Sequence, residues 1–393
     1  MPTRPEKARP TARPTARAPA AVVLVALAAL AVACGGDDHA GGAGGTSTTA
    51  RSSGTAAGTA PKGATGATST TRPPTGSGQA VTLAFAGDVS FQGQTAAVAA
   101  HPGTVLAAIA PVLSEADVAV VNLEASLGTS GSPQGKTFTF QVPPQAVDAL
   151  KAAGVDAVTM ANNHGMDYGA AGLQDTLRIE AQTGFPILGV GKDDAEAYAP
   201  DVVDVKGQRI GIIAASDVFD DALRASWTAG PGKPGIASAE EAHQDRLVRE
   251  VQATRPKVDT LVVYLHFGTE KQTCPNQRQR DLVRVLTDAG ADIVVGSHPH
   301  RLQGLGYLAD RFVAYSLGNF AFKANSPDGA ATGVALVTAT GRRIDGYRFQ
   351  PAVIRNSIPY PLSGAAEQAA LAVMAQRQSC AGLTSSPTGG GTP

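Results

Sequence analysis

Five apolar stretches of this sequence are each followed by side chains that can bind a metal ion or move a proton. In chain order these side chains are Asp88, Asn122, Glu124, Asn162, Asn163, His164, Asp167, His266, Glu270, His298 and His300. Carboxylate oxygens, amide oxygens and imidazole nitrogens together form the mixed ligand set of divalent Zn, Mn or Fe. Each residue alone has a common structural role, because Asp caps helices and Asn forms turns. Five such placements in order favour a metal site over that structural explanation.

The apolar stretches themselves are typical of buried strands. They read VTLAFAG, DVAVVNL, VDAVTMA, FPILGVG, RIGIIAAS, TLVVYLH, ADIVVGS and FVAYSLG. Apolar side chains three and four apart predict helices over residues 144–153, 170–182, 239–253 and 276–289, and Gly154 and Gly290 fall where two of them should end. Strands that alternate with helices predict an α/β fold with largely parallel pairing. The carboxyl ends of such strands face one ligand crevice, so the polar residues that follow them are expected to converge.

Length and composition limit the class of protein. The chain has 393 residues, of which 43% are hydrophobic and 17% are charged, with a formal net charge of -1. This composition excludes a wholly disordered chain, and a near-neutral balance provides no basic surface for nucleic acid. We therefore predict one folded domain over residues 80–380 and no nucleic-acid partner.

The N-terminal sequence is typical of an exported lipoprotein. Basic residues precede an uncharged stretch that ends at Cys34, so residues 1–33 are predicted to be a signal peptide. The stretch is too short to span a bilayer. The ending Ala31-Val32-Ala33-Cys34 resembles a bacterial lipobox, which implies a lipid on the Cys34 sulfur and a location at the cell membrane, on its extracytoplasmic face. Ordinary cleavage and an uncleaved anchor are the alternatives.

Two segments have a composition that does not support a folded core. Residues 34–79 are almost only Gly, Ala, Ser, Thr and Pro after Cys34, and residues 381–393 are similar. The first is predicted to be a disordered tether and the second a disordered tail.

The other two cysteines are Cys274 and Cys380. An exported compartment permits them to pair. A disulfide is favoured over two free thiols or a single metal-ligand cysteine.

Six motifs follow one another in an order that resembles one known family. They are Gly-Asp-Val-Ser (87–90), Asn-Leu-Glu-Ala-Ser-Leu (122–127), Asn-Asn-His-Gly-Met-Asp-Tyr-Gly (162–169), His-Phe-Gly-Thr-Glu (266–270), Gly-Ser-His-Pro-His (296–300) and Tyr-Ser-Leu-Gly-Asn-Phe (315–320). Together they resemble the CapA-type poly-gamma-glutamate capsule synthesis family over roughly residues 81–354. That family is similar to the calcineurin-like metallophosphatases. The resemblance implies an α/β fold of two stacked mixed β-sheets flanked by helices, with metals at the strand ends.

The resemblance also implies a role for each matching residue. The ligands of one or two divalent ions (Zn, Mn or Fe) would be Asp88, Glu124, Asn163, His266, His298 and His300. His164 would be the catalytic acid or anion-stabilising group beside the metals. The residues that orient ligands or substrate would be Asn122, Asp167, Glu270 and Asn319. Ser90 departs from the metallophosphatase pattern Asp-x-His, because it stands in the place of the histidine.

Two functions from different classes are compatible with these residues. The favoured one is a lipid-anchored, metal-dependent hydrolase that acts on a phosphoester or gamma-glutamyl amide in capsule or poly-gamma-glutamate biosynthesis. The other is a non-catalytic cell-surface scaffold or accessory that binds the anionic capsule polymer or subunits of a membrane synthase. A plain solute-binding lipoprotein shares the anchor and tether but does not predict the histidines.

Overall fold

The computed structural model describes residues 77–388. The predicted signal peptide, Cys34 and almost all of the predicted tether lie outside the described residues. Within the part that is described, no helix is both long enough and apolar enough to cross a membrane.

Short strands and helices alternate along the described chain. The strands are β1 (Val81–Val89), β2 (Val118–Leu123), β3 (Ser126–Leu127), β4 (Gln141–Val142), β5 (Ala157–Thr159), β6 (Ile187–Leu188), β7 (Val190–Gly191), β8 (Asp201–Val205), β9 (Gln208–Ser216), β10 (Gly235–Ile236), β11 (Thr260–His266), β12 (Ile293–Ser297), β13 (Leu305–Leu308), β14 (Arg311–Ala314), β15 (Asn319–Ala321), β16 (Ala331–Thr340), β17 (Arg343–Arg355) and β18 (Ile358–Pro361). The helices are α1 (Thr95–Ala100), α2 (Pro102–Val105), α3 (Ala110–Leu113), α4 (Ala146–Ala152), α5 (Gly169–Thr183), α6 (Asp194–Ala197), α7 (Arg224–Trp227), α8 (Gln244–Thr254), α9 (Gln277–Ala289), α10 (Pro327–Ala330) and α11 (Gly364–Ala381). A 3-10 turn over Arg255–Lys257 follows α8.

Each apolar stretch predicted as a strand contains one, and the four predicted helices correspond to α4, α5, α8 and α9. Gly154 and Gly290 have positive φ angles of 87° and 124° at the ends of α4 and α9, as C-terminal glycines do. Helix α8 begins five residues later than the prediction, at Gln244 rather than 239. The reason is that Ala239 donates its backbone N–H to Ser216 at the end of β9 (2.7 Å), which holds this segment in an extended form.

Eight strands of the described chain form a first mixed sheet. Its order is β18-β17-β16-β1-β2-β5-β6, and β15 pairs with the end of β1. Strands β1, β2, β5 and β6 run parallel, whereas β16, β17 and β18 are antiparallel. Every residue of β2 is buried, as expected for a strand whose sheet is covered on both faces. The parallel half brings the carboxyl ends of β1, β2 and β5 to one edge.

Six strands form a second mixed sheet in the order β13-β14-β12-β11-β9-β8. Strands β9, β11, β12 and β14 are parallel, and β8 and β13 add antiparallel edges. Side chains of β11 alternate between the two faces, as in any strand. Val262 and Tyr264 join one buried cluster, while Leu261, Val263 and Leu265 join another.

The two sheets pack face to face. Val262 and Tyr264 share their cluster with Phe85 of β1 and Val120 of β2. The hydroxyl of Tyr264 donates a hydrogen bond to the carbonyl oxygen of Ala86 (2.7 Å), which joins the sheets beneath the strand ends. Helices α8 and α9 cover the outer face of the second sheet. The predicted α/β fold of two stacked mixed sheets flanked by helices is confirmed.

The C-terminal part of the fold extends past residue 380. Helix α11 ends at Ala381, and Leu383 beyond it is buried. Thr384 exchanges two backbone hydrogen bonds with Tyr307 of β13, at 2.8 and 3.0 Å. Residues 381–384 therefore belong to the fold, contrary to the prediction that a disordered tail begins at residue 381, because the free edge of β13 provides backbone partners that composition does not reveal.

A disulfide joins Cys274, in the loop after β11, to Cys380 in the last turn of α11, with the two Cα atoms 5.8 Å apart. Gln303 donates to the carbonyl oxygen of Cys274 at 3.2 Å. The backbone N–H of Lys271 donates to the carbonyl oxygen of Pro299 at 2.8 Å. The disulfide loop therefore supports the His-Pro-His loop that follows β12.

Replacing Cys274 and Cys380 together by serine should lower the free energy of unfolding by about 2–5 kcal/mol, because the bridge closes a long loop of the unfolded chain. Urea unfolding followed by circular dichroism measures the change. Reductant should reproduce the loss in the wild type and leave the double variant unaffected. A wild-type midpoint that is insensitive to reductant would contradict this role.

Candidate metal centre

The strand ends of the first sheet bring together acidic and amide side chains. Asp88, near the end of β1, stands opposite Asn122 of β2 and Asn319 of β15. Glu124 follows β2, and its backbone N–H donates to the carbonyl oxygen of Val89 at 2.8 Å. Asp88, Asn122, Glu124 and Asn319 are all buried. The first sheet thus contributes mainly oxygen donors.

A glycine before Asp88 permits this convergence. A Cβ atom at Gly87 would lie 1.8 Å from the carbonyl oxygen of Gly318, which no side chain can tolerate. The same carbonyl oxygen accepts the backbone N–H of Asp88 at 2.8 Å. This close approach sets Asn319 beside Asp88.

The second sheet contributes imidazoles. His266 is the last residue of β11 and stands opposite Ser297, the last residue of β12. His298 and His300 follow β12 with φ angles of 100° and 52°. Positive φ costs a residue with a side chain on the order of 1–3 kcal/mol, so the surrounding structure must hold this loop in place. The loop turns both imidazoles toward the first sheet.

Glu124 lies at the centre of these groups. Its Oε1 atom is 3.5 Å from His266 Nε2, 3.8 Å from His300 Nε2 and 4.0 Å from His164 Nε2. Donor atoms of Glu124, His298 and His300 all lie within 4.8 Å of one another. Two donors that share one ion at about 2.1 Å are about 3–3.5 Å apart, so the observed spacing is close to that of a ligand set.

Several polar atoms of this centre have no hydrogen-bond partner among the described residues. They are both carboxylate oxygens of Glu124, Oδ2 of Asp88 and Nδ1 of His298. Glu124 and Asp88 are completely buried. An ionised carboxylate in that position is costly unless a cation or a donor compensates it.

Burial and neighbouring charges shift the pKa values of this centre in different directions. Burial, and then the charge of Asp88, raise the pKa of Glu124 well above its usual range. Burial, followed by the nearby His298, lowers the pKa of His266 well below its usual range, and burial lowers that of His298 to about 3. Burial also opposes charge on His300, but Glu124 and Asp88 outweigh it and raise its pKa to about 10.

These features fit a divalent cation. His266 and His298 are kept neutral, which is the form in which imidazole binds a metal. His300 is charged in the metal-free site and would release its proton on binding a metal. Unpartnered carboxylate oxygens point into the same space as the imidazoles. The centre formed by Glu124, His298 and His300 can therefore hold a divalent metal ion.

An amide network orients the donors. Asn122 Nδ2 donates to Asp88 Oδ1 at 2.8 Å and lies 3.3 Å from His266 Nδ1. Asn122 Oδ1 accepts from Asn162 Nδ2 at 2.9 Å, and Asn162 Oδ1 accepts the backbone N–H of His164 at 2.9 Å. Asn162 is among the polar residues that follow the predicted strands, but the resemblance gives it no role; in the structure it connects the carboxylate side of the centre to His164.

The remaining predicted residues of the centre are paired with one another. Asn163 Oδ1 lies 2.8 Å from His266 Nε2, so these two predicted ligands are in contact. Asn319 Oδ1 accepts from His300 Nδ1 at 2.8 Å, and the same nitrogen lies 3.3 Å from Asp88 Oδ2.

His164 is held by Asp167 beside the metal centre. Its Nδ1 atom lies 2.6 Å from Asp167 Oδ2, which leaves Nε2 directed toward Glu124. The ring of Phe140 covers the imidazole, with the ring centres 4.4 Å apart. Burial lowers the pKa of His164, although its hydrogen bond to Asp167 opposes the shift.

Lys136 is a residue of this site that the sequence prediction does not include. Its ammonium contacts Asp167 at 2.8 Å and also the carbonyl oxygen of Asn163. One signal in the sequence could have indicated it, because Lys136 is the only charged residue between Glu124 and Asp148.

Two positions differ from the pattern that the resemblance implies. Glu270 is exposed, and it is not among the converging side chains. Gly268, with a φ angle of 105°, turns the chain away after His266. Ser90, which stands in the place of the histidine, is buried, and its backbone N–H donates to the carbonyl oxygen of Ala321 at 3.0 Å.

Comparison of the sequence with known families gives one match over most of the folded part. The family described as "Bacterial capsule synthesis protein PGA_cap" matches residues 82–324. The chain belongs to this capsule synthesis family. The matched segment contains every residue of the centre, from Asp88 to Asn319.

Relatives in the capsule synthesis family share about a third or less of their residues with the chain. The PGA biosynthesis protein CapA of Bacillus subtilis (strain 168) is 29% identical over 62% of this chain and 63% of its own length. The capsule biosynthesis protein CapA of Bacillus anthracis is 30% identical over 62% of this chain and 60% of its own length. A probable polyglutamine synthesis accessory protein of Mycobacterium tuberculosis (strain ATCC 25618 / H37Rv) is 26% identical over 52% and 55%. The chain thus spans less than two thirds of the length of these relatives.

Solved structures resemble the chain only loosely. A hypothetical protein from Thermus thermophilus has a TM-score of 0.42 and 15% identity, over 69% of this chain and 98% of that chain. The 5'-nucleotidase from Candida albicans SC5314 has a TM-score of 0.41 and 10% identity, over 76% of this chain and 58% of that chain. Alignments at these TM-scores carry no argument about function.

Substituting Glu124 by glutamine should distinguish two effects of the carboxylate. One is the stability that is lost by burying its charge, and the other is its binding of a metal ion. The pKa of Glu124 is raised in the folded state, so its ionisation lowers stability as the pH rises above the ordinary glutamate pKa. In metal-free protein at neutral pH we therefore expect Glu124→Gln to melt at or above the wild-type temperature. Added Zn or Mn should then stabilise the wild type, by about 2.7 kcal/mol at about 100 times Kd, but not this variant.

Exposed Glu270 provides the matched control for this measurement. Glu270→Gln should respond to metal as the wild type does. Equal stabilisation of Glu124→Gln and the wild type by metal would contradict the assignment of Glu124.

Proposed function

We propose that the protein is a divalent-metal-dependent hydrolase of the capsule synthesis family. Its substrate would be a phosphoester or a gamma-glutamyl amide met during synthesis or export of an acidic capsule polymer. The observation that supports this most directly is the buried carboxylate of Glu124, which has no hydrogen-bond partner among the described residues and faces three imidazoles. A structural carboxylate would be hydrogen-bonded, whereas a ligand is left open for a cation.

The residues that would hold one or two ions of Zn, Mn or Fe are Asp88, Glu124, Asn163, His266, His298 and His300. Asp88 and Glu124 supply the charge, and the imidazoles supply the nitrogen donors that borderline ions prefer. When bound, such an ion polarises a phosphoryl or carbonyl oxygen and lowers the pKa of a water molecule toward about 7. Asn122 and Asn319 orient the donors through the hydrogen bonds described above.

His164 would be the catalytic acid or the group that stabilises developing negative charge. Asp167 fixes its Nδ1 side, so Nε2 is the atom that is presented to the centre. Proton donation to a leaving group would take place from Nε2, and Asp167 would stabilise the charged imidazole. Phe140 limits the access of water to the ring.

The cellular setting of this activity is part of the proposal. The N-terminal sequence supports export and a lipid on Cys34, which would hold the domain at the extracytoplasmic face of the cell membrane. The names of the Bacillus relatives support a role beside the capsule polymer or the subunits of its synthase.

A non-catalytic accessory is the second candidate. Ser90 stands in the place where metallophosphatases carry a histidine. A centre that lacks this imidazole can bind metal or polymer without turnover. The name of the Mycobacterium tuberculosis relative is in keeping with such a role.

Elemental analysis tests the metal centre itself. Purified wild type should hold about one or two equivalents of Zn, Mn or Fe, and His298→Ala and His300→Ala should lose most of it because each removes a nitrogen donor. Circular dichroism checks that the variants are folded, and Glu270→Gln should keep its metal. A folded wild type that holds no metal after it has been supplied would rule out the metal-dependent mechanism.

Replacing His164 tests catalysis separately from metal binding. His164→Gln should lower kcat on the best phosphoester or gamma-glutamyl amide by about 10²–10⁴-fold, because it removes a group that transfers a proton, while metal content stays unchanged. If His164→Gln is as active as the wild type, or if the metal-loaded wild type hydrolyses neither class, the accessory function is the better account.

A further inference from the structure

In the loop over residues 128–140, between β3 and β4, the charged side chain is buried and an aromatic side chain is exposed. Lys136 is its only charged residue, yet the Lys136 side chain is only 4% exposed. Phe138, two residues later, is 65% exposed. A lysine in a surface loop normally keeps its ammonium in water. The buried ammonium must therefore be compensated by specific partners.

Those partners come from two separate segments. The ammonium of Lys136 donates to Asp167 Oδ1 at 2.8 Å and to the carbonyl oxygen of Asn163, beside His164. It also lies 3.0 Å from Asp220 Oδ2, in the segment that leads into α7. The ring of Trp227, at the end of α7, lies 5.0 Å from the ammonium. One charge therefore joins the 128–140 loop to the His164 side of the site and to the Asp220–Trp227 segment.

The arrangement determines where Asp167 is held. Asp167 accepts from three donors, which are Lys136 Nζ, the backbone N–H of Phe140 at 2.7 Å, and His164 Nδ1 at 2.6 Å. Two of the three belong to the same loop. Without the ammonium, Asp167 and Asp220 would face each other with uncompensated negative charge, and repulsion would separate the segments.

The groups that surround the Lys136 ammonium come from the protein itself. A lysine ammonium has three N–H donors. Two donate to Asn163 and Asp167, and the remaining side of the ammonium faces the Asp220 carboxylate. Among the described residues, Asp220 Oδ2 accepts no hydrogen bond in this geometry, so its contact with the ammonium is an ion pair. A carboxylate on that side favours a structural role for Lys136 over the binding of substrate.

We infer that Lys136 is a positioning residue, which latches the 128–140 loop to the Asp220–Trp227 segment and holds Asp167 so that His164 faces Glu124. The catalytic role of His164 rests on the proposed function. The latch, by which we mean the contacts of Lys136 with Asp167 and Asp220, does not. Failure of the two can therefore be distinguished by a readout that needs neither substrate nor metal.

Trp227 provides that readout, because it is the only tryptophan of the chain. It is buried, with 2% of its surface exposed. In the full chain, Lys136→Met keeps the length of the side chain and removes the charge. We expect its Trp227 emission to shift to longer wavelength and its quenching by acrylamide to rise. Lys151→Met, which removes an exposed lysine on α4, should leave both signals as in the wild type.

A second variant tests the other end of the latch. Asp220 is partly exposed, so Asp220→Ala should fold and should change the Trp227 signals in the same direction as Lys136→Met. Both variants break the same contact, the ion pair between Lys136 and Asp220. The double variant should therefore be no more quenched by acrylamide than Lys136→Met alone. Wild-type fluorescence in Lys136→Met or in Asp220→Ala, or additive effects in the double variant, would overturn the latch.

Activity then tests positioning. If the metal-loaded wild type is active, Lys136→Met should lower kcat by about 10²-fold with unchanged metal content, as expected when a catalytic group is displaced by about 1 Å. Full kcat in a Lys136→Met protein whose Trp227 signal has changed would overturn the positioning of His164. If the wild type proves inactive, the fluorescence result alone decides the latch.

Discussion

The buried carboxylate of Glu124, which accepts no hydrogen bond from any of residues 77–388, is the constraint on which the rest of the site depends. A charge in that position needs compensation. His300, whose pKa is raised to about 10, lies 3.8 Å away, but neither oxygen of Glu124 accepts a hydrogen bond from it. Two local features of the backbone serve the same centre. They are the positive φ angles of His298 and His300 and the close backbone approach at Gly87. Each brings a donor nearer to Glu124. A divalent cation would satisfy these groups together.

Both sheets contribute donors to this centre. The strand ends of the first sheet carry oxygen donors, and those of the second sheet carry imidazoles. Both sets are needed to surround a metal ion. Their relative position is held just below the site by the hydrogen bond from Tyr264 to Ala86. Farther out, the Cys274–Cys380 bridge supports the His-Pro-His loop, and Lys136 holds the opposite side through Asp167. Preorganisation of this kind lets a site bind a metal without rearranging its fold.

Sequence predicts the parts of this structure that follow from local pattern. Apolar stretches identify the strands, and the rule that parallel strand ends share one edge places Asp88 and Glu124 together in the first sheet. His266 belongs to the second sheet, and the packing of the two sheets brings it opposite them. Lys136 is missed because its partners Asp167 and Asp220 are distant in the chain, and the only sequence signal is that it is the one charged residue between Glu124 and Asp148. Glu270 follows a motif, yet the turn at Gly268 directs it into solvent. The folded position of Thr384 depends on the free edge of β13, which composition does not register.

Anomalous diffraction from crystals grown with Zn or Mn tests the central claim most directly, because it locates the ion rather than counting it. The account predicts an anomalous peak within about 2.0–2.3 Å of a Glu124 carboxylate oxygen and of at least one imidazole of His298 or His300. A fully loaded protein whose ion lies elsewhere, with the Glu124 oxygens still unpartnered, would contradict it.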